Sequence, residues 1–258
     1  MSRYWIRFAL LLVLVVFLPE ARQSQAQVER LPLADLHFHP EPGLSPEEVL
    51  RTMDLTGVRW AGNGVAGGRE DDVWAPFLEL APGRFIPFAG KIAIRNLIRD
   101  QGEAAWSLKS PEILSYLQSL EQKLRAGPFR GIGELFNNHS MGWRQQYPAD
   151  SPLMQRLLTL AATYQAPLSV HLEAAPESVA ELERLLPMDR RAPVIWAHCG
   201  FWADASQVRK MMAQHPNLLC ELSNRDDRRP LRRRNPRVPI TGFGRRLHSD
   251  WKALLEDY

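Results

Sequence analysis

One pattern governs most of this chain: short, nearly unbroken apolar runs alternate with segments of helical periodicity. The runs fall at 33–39, 58–65, 85–93, 129–135, 168–172, 194–198 and 218–222. Strands that are apolar at successive positions are buried on both faces, the condition of a parallel sheet covered by helices. The intervening segments carry helix signals. Ser45, Pro46 and Glu48 supply a cap, a first turn and a third position, and Gly57 closes that helix. Ser110 ahead of the amphipathic segment 111–126, and Pro152 at the head of 151–165, repeat the device, and further helices are expected at 176–186, 205–215 and about 245–255. Seven strand–helix units in 258 residues predict an α/β chain with a TIM-type (β/α)8 barrel rather than an open doubly wound sheet. No strand is followed by the Gly-x-Gly-x-x-Gly of a dinucleotide site, which removes the Rossmann reading. No eighth apolar run precedes Tyr258, so the expected barrel is truncated before its eighth strand, with two sheet edges open.

Residues 1–26 stand outside that pattern. Arg3 and Arg7 precede an apolar run of eleven residues, 8–18, and Ser24-Gln25-Ala26 offers the small residues of a cleavage site. These features describe a secretory signal peptide. Eleven apolar residues are short for a bilayer span, so an exported chain, periplasmic or secreted, with no stable membrane span after cleavage is expected. The barrel domain would then be 27–258. Loss of three arginines and one glutamate lowers the net charge from +3 to +1, too little to favour nucleic acid as a partner.

The active face of such a barrel is the C-terminal end of its strands. The polar residues at those ends are His37 and His39 on the first, Glu134 on the fourth, His171 on the fifth and His198 on the sixth. Side chains two apart in a strand share a face, which would align Asp35, His37 and His39 with Asp35 one layer deeper. Neutral imidazoles suit a borderline divalent ion, although a His-x-His taken alone reads more readily as a hydrogen-bonded core pair, since so short a pattern arises by chance. His171 closes Pro-Leu-Ser-Val-His and His198 closes Val-Ile-Trp-Ala-His, each interrupting a run that would otherwise be core. Burying an unpaired polar group costs about 1–3 kcal/mol, so several at one mouth point to a shared metal site. Glu134 follows Gly131-Ile132-Gly133, where small residues leave room for a carboxylate. It reads either as a ligand or as a strand-end acid that caps a loop or pairs with an arginine.

The set His37-Phe38-His39, Gly-Ile-Gly-Glu134-Leu, Val-His171 and Ala-His198-Cys-Gly, in this order, resembles the amidohydrolase superfamily from about Leu33 to the end of the sequence. The amidohydrolase-2 branch is the nearest in pattern, and Gly-Glu134 is also similar to the fourth-strand motif of TatD-like nucleases. The resemblance implies that His37, His39 and His171 hold a divalent metal, zinc or manganese. It further implies that His198 binds a second ion or orients substrate and water, and that Glu134 bridges or ligates a second ion. The implied activity is hydrolysis of a small carbonyl compound, a lactone, amide or ester, by metal-activated water. Non-hydrolytic decarboxylases share the scaffold. A third reading is an inactive barrel acting as a binding protein, because the family's strand-eight aspartate has no counterpart here. Asp250, in His248-Ser249-Asp250, falls in a helical segment and is not assigned that role.

Between Arg225 and Arg246 lie nine arginines against Asp226 and Asp227. The stretch reads either as a solvated loop or as a lid that attracts an anionic small-molecule substrate. It is nearly devoid of aromatic residues for stacking on bases, Phe243 excepted, which weakens a nucleic-acid role. Cys199 and Cys220 read more simply as two buried thiols than as a disulfide.

Overall fold

The computed structural model describes residues 32–139, 145–225, 239–242 and 246–258. The expected signal peptide and most of the arginine-rich stretch lie outside the described residues. Seven parallel strands form one sheet in sequence order: β1 (Leu33–Asp35), β2 (Val58–Asn63), β3 (Phe85–Gly90), β4 (Gly131–His139), β5 (Leu168–Leu172), β6 (Val194–Trp196) and β7 (Leu218–Cys220). A two-residue strand, Gln145–Gln146, pairs antiparallel with the end of β4. Among the described residues no strand covers the outer edge of β1 or of β7. The sheet is nevertheless curled, since His37 beyond β1 meets Glu221 beyond β7 at 3.0 Å.

Nine helices are described: α1 (Pro46–Thr56), α2 (Glu70–Leu80), α3 (Lys91–Gln101), the single turn α4 (Glu103–Trp106), α5 (Pro111–Ala126), α6 (Pro152–Tyr164), α7 (Pro176–Leu185), α8 (Ala205–Gln214) and α9 (Ser249–Asp257). The caps expected for α1 are in place, with Ser45 Oγ accepting from the Glu48 N–H at 3.2 Å and Gly57 in the left-handed region at φ 75°. Ser151 caps α6 in the same way through the Met154 N–H. Helix apolar faces and the outer faces of the strands share one core. Phe38, Trp74, Phe77 and Phe85 pack edge to face near α2, and Trp251 and Leu254 bury α9. None of the described helices is long and apolar enough to cross a membrane.

Several expected boundaries move, each for a local reason. The first strand ends at Asp35 because its carboxylate accepts the His37 N–H at 2.9 Å and turns the chain. Asp35 is therefore exposed and does not lie beneath the histidines. The third strand stops at Gly90, whose φ of 95° starts α3 directly, so Lys91 to Ala93 are helical. The sixth ends at Trp196, and Ala197–Gly200 form a tight turn in which His198 and Cys199 take left-handed backbone (φ 57° and 42°). That turn swings Cys199 toward the neighbouring strand, where it forms a disulfide with Cys220 across a Cα–Cα distance of 5.1 Å; the expectation of two thiols is overturned. Helix α2 went unread because Pro76 interrupts its pattern.

Candidate metal centre

All five residues singled out in the sequence converge at the C-terminal mouth of the sheet. Glu134 is at the centre, 2% exposed. Gly133, with φ 114°, gives it access, and a Cβ on Gly64 would collide with the Gly133 carbonyl oxygen. The Glu134 Oε2 atom lies 3.0 Å from His39 Nε2 and 3.8 Å from His37 Nε2. Its other oxygen, Oε1, lies 2.9 Å from His171 Nδ1 and 3.8 Å from His198 Nε2. His37 Nε2 and His39 Nε2 are 3.2 Å apart.

The opposite ring nitrogens of three of these histidines face oxygen atoms of other residues. His39 Nδ1 donates to the Gly64 carbonyl oxygen at 2.5 Å. His37 Nδ1 is within hydrogen-bond distance of Glu221 Oε2, 3.0 Å. His198 Nδ1 faces the Ser223 carbonyl at 3.0 Å and the Ser223 hydroxyl at 2.9 Å. In neutral imidazole one nitrogen carries the proton and the other a lone pair. The Nε2 atoms of His37, His39 and His198 converge on the Glu134 carboxylate, and a hydrogen bond joins the first two. Ring nitrogens and a buried carboxylate gathered this closely are the donor types a divalent cation takes. The triangle of His37 Nε2, His39 Nε2 and Glu134 Oε2 admits a point about 2 Å from all three, the length of a zinc–nitrogen or zinc–oxygen bond. Each of the triads His37–His39–Glu134 and Glu134–His171–His198 has its ligand atoms within 4.8 Å of one another. The donor set thus fits a divalent metal.

Three further residues at the mouth escaped sequence reading. Lys91, 4% exposed, places its Nζ 3.5 Å from Glu134 Oε2 and 3.2 Å from His39 Nδ1. Glu221 accepts from the His198 N–H at 3.1 Å, from the Ser223 hydroxyl at 3.0 Å and from the Ser223 N–H. Ser223 carries that network to His198. Only the position of Glu221, just after an apolar run as Glu134 is, could have marked it. Around these groups Phe201 stacks on His198 at 4.0 Å between ring centroids, and Phe136 and Phe201 lie 5.3 and 5.4 Å from His171.

The electrostatics follow from burial opposed by pairing. Burial would raise the Glu134 carboxyl, but its bonds to His171 and His39 and the nearby His37 hold it well below the usual range. Burial likewise works to raise Glu221, yet His37 and His198 hold it down at about 2. Burial lowers the His39 imidazole, and with His37 and His171 nearby it lowers His198 to about 3. His37 goes the other way, because the two glutamates outweigh its burial. Burial lowers the Lys91 ammonium.

No known family profile matches the sequence, and no curated relative does. Solved structures do match, and they are members of the amidohydrolase superfamily. A 2,6-dihydroxybenzoate decarboxylase from Rhizobium aligns over 81% of this chain and 75% of its own, with 16% identity and a TM-score of 0.45. A probable 2-pyrone-4,6-dicarboxylic acid hydrolase from Acinetobacter baumannii, solved with citric acid bound, aligns over 75% and 86%, with 10% identity and a TM-score of 0.45. A dihydroxybenzoic acid decarboxylase from Polaromonas, solved with manganese and an inhibitor, aligns over 67% of this chain and 52% of its own, with 15% identity and a TM-score of 0.33. At such values the likeness is one of chain path, and the chemistry rests on the side chains.

Proposed function

We propose that this chain is a metal-dependent hydrolase that turns water on a small carbonyl compound, a lactone, amide or ester. The observation that carries this reading is the convergence of four imidazole rings on the two oxygens of the buried Glu134 carboxylate. His37, His39 and the Oε2 side of Glu134 would hold one divalent ion. His171, His198 and the Oε1 side would hold a second, with Glu134 between them. Zinc is the expected ion, with manganese the alternative, since both accept mixed imidazole and carboxylate donors. A bound ion of this kind lowers the pKa of water and polarises a carbonyl oxygen.

The chain's own groups set the limits of that chemistry. His198, held at about 3, is neutral and has its Nδ1 committed to Ser223, so it serves as a ligand rather than as a donor to developing charge. Glu134 and Glu221 are both weak bases, one well below the carboxylate range and the other at about 2. The two glutamates and Lys91 leave the site one negative charge, which a single divalent ion turns to one positive; an anionic substrate group would be drawn in. Export to an oxidising compartment fits both the leader-like residues 1–26 and the disulfide.

The test is metal analysis of the purified full chain, followed by assays on panels of esters, lactones and aromatic acids before and after chelation. At least one bound divalent ion, and hydrolysis lost on chelation and restored by zinc or manganese, are the expected outcome. Carbon dioxide release from an aromatic acid with the esters untouched would move the reading to a decarboxylase. Failure to retain any divalent ion would end the metal-enzyme reading.

A further inference from the structure

We propose that Lys91 makes the two halves of the metal centre unequal, so that an ion enters the His171–His198 side of Glu134 first and the His37–His39 side only at higher metal concentration. This rests on the metal reading above and deepens it. Lys91 Nζ lies 3.5 Å from Glu134 Oε2 and 3.2 and 3.3 Å from the two ring nitrogens of His39. An ion on that side sits about 2 Å from both His39 Nε2 and Glu134 Oε2, and every such point lies within about 4.4 Å of Nζ. A divalent ion there meets a like charge at close range, away from water, where repulsion is strong. The other oxygen, Oε1, faces His171 Nδ1 at 2.9 Å and His198 Nε2 at 3.8 Å. Burial works to lower the His37, His39 and His198 imidazoles alike; Lys91 adds to it at His37 and His39, whereas His37 and His171 add to it at His198.

The ammonium is held where it is. Lys91 opens α3 directly after Gly90, whose N–H donates to Glu70 Oε1 at 2.8 Å and whose carbonyl accepts from the buried Tyr116 hydroxyl at 3.4 Å. The stem of the lysine runs close to Gly64, where a Cβ would come within 2.9 Å of the Lys91 Cβ. The Phe136 ring lies 5.1 Å from Nζ, inside the range of a cation–π contact. With the side chain 4% exposed, drawing the charge away from Oε2 would break this packing. Lys91 thus acts as a fixed cation on one side of the bridging carboxylate.

The experiment uses the full chain, stripped of metal, as wild type, Lys91→Met and Lys91→Arg. Calorimetric titration with Zn2+ reads the number and strength of binding events, and nitrogen spectra of the histidine rings read which of them ligate. In the wild type the first equivalent should engage His171 and His198, and a second ion should bind at His37 and His39 at least about 10-fold more weakly. Lys91→Met should tighten the weaker event about 10- to 100-fold, the scale on which groups bordering a metal act, and leave the tighter one nearly unchanged. Lys91→Arg, which keeps the charge, should preserve the gap. One ion in the wild type and two in Lys91→Met would be the same result in its extreme form. Two equal events in the wild type, a first ion ligated by His37 and His39, or a weaker event unchanged in Lys91→Met each overturn the proposal and leave the metal reading intact. Loss of the tighter event in Lys91→Met overturns it too, because the lysine would then be a ligand. If Lys91→Met does not fold, the order of filling in the wild type and in Lys91→Arg decides. No bound Zn2+ in any of the three proteins overturns the metal reading and this proposal with it.

Discussion

Lys91 lies inside the histidine cluster, and its contribution depends on whether a second cation is present. Its ammonium is buried, 3.5 Å from Glu134 Oε2, and without a metal it is the only buried lysine or arginine beside that carboxylate among the described contacts. Removing one partner of a buried ion pair costs about 3–5 kcal/mol, because the other charge is left uncompensated. A divalent ion on Glu134 would supply the missing compensation. Lys91→Met is therefore expected to destabilise the metal-free chain by about 3 kcal/mol and the zinc-loaded chain by clearly less. Urea unfolding with and without zinc measures both. Equal losses in the two states would reduce Lys91 to a packing role.

The elements that position the site are the turns after β6 and β7 more than the strands themselves. Cys199 adjoins His198 and Cys220 adjoins Glu221, so the disulfide ties the two turns side by side. Arg225, 1% exposed, adds a second tie: its guanidinium donates to the Cys199 and Ala203 carbonyls at 3.3 and 2.6 Å and lies 4.4 Å from the Trp251 ring of α9. A crosslink spanning a sequence separation of 21 restricts the unfolded chain by about 3 kcal/mol. Reduction with a dithiol should lower unfolding stability by that order and weaken metal binding, because the His198 turn loses a restraint. Denaturation and metal titration with and without reductant test this. Unchanged values in both would show that the disulfide contributes nothing to either.

At the scale of the whole molecule, the buried titratable groups dictate how stability depends on pH. In the metal-free chain His39 and His198 lie below the imidazole value of 6.5, and Glu134 and Glu221 below the carboxylate value of 4.5. The unfolded chain therefore takes up protons at these sites before the folded chain does, and each such proton costs about 1.4 kcal/mol of stability per pH unit. For His198 that window runs from near 6.5 down to about 3. The two carboxylates add their loss once the pH falls below their ordinary value. His37, raised, acts in the opposite sense: its contribution is present at low pH and is lost as pH rises through its folded value. Below pH 6.5 the raised His37 contributes in full while the two depressed imidazoles lose stability, and below 4.5 the two carboxylates join them, so the thermal midpoint of the metal-free chain should fall from pH 6.5 to 3.5. A flat or rising midpoint over that range would contradict the burial described for His198.

The sequence by itself determined the strand–helix alternation, because apolar periodicity and helix caps are local signals. Helices α5 and α6, strand β5 and the caps of α1 could all be read without a partner in view. It also marked His37, His39, Glu134, His171 and His198, because a polar residue closing an apolar run is costly unless it has a purpose. What it did not hold was the identity of residues whose meaning lies across the sheet. Glu221 is an ordinary acid until His37 comes within 3.0 Å of it, and Lys91 an ordinary helix-start lysine until Glu134 does at 3.5 Å. The disulfide was likewise decided by the left-handed turn at His198 and Cys199, a backbone choice that no propensity favours and that Glu221 holds through the His198 N–H. Local patterning marked the candidate ligands; tertiary contact decided their neighbours and their orientation.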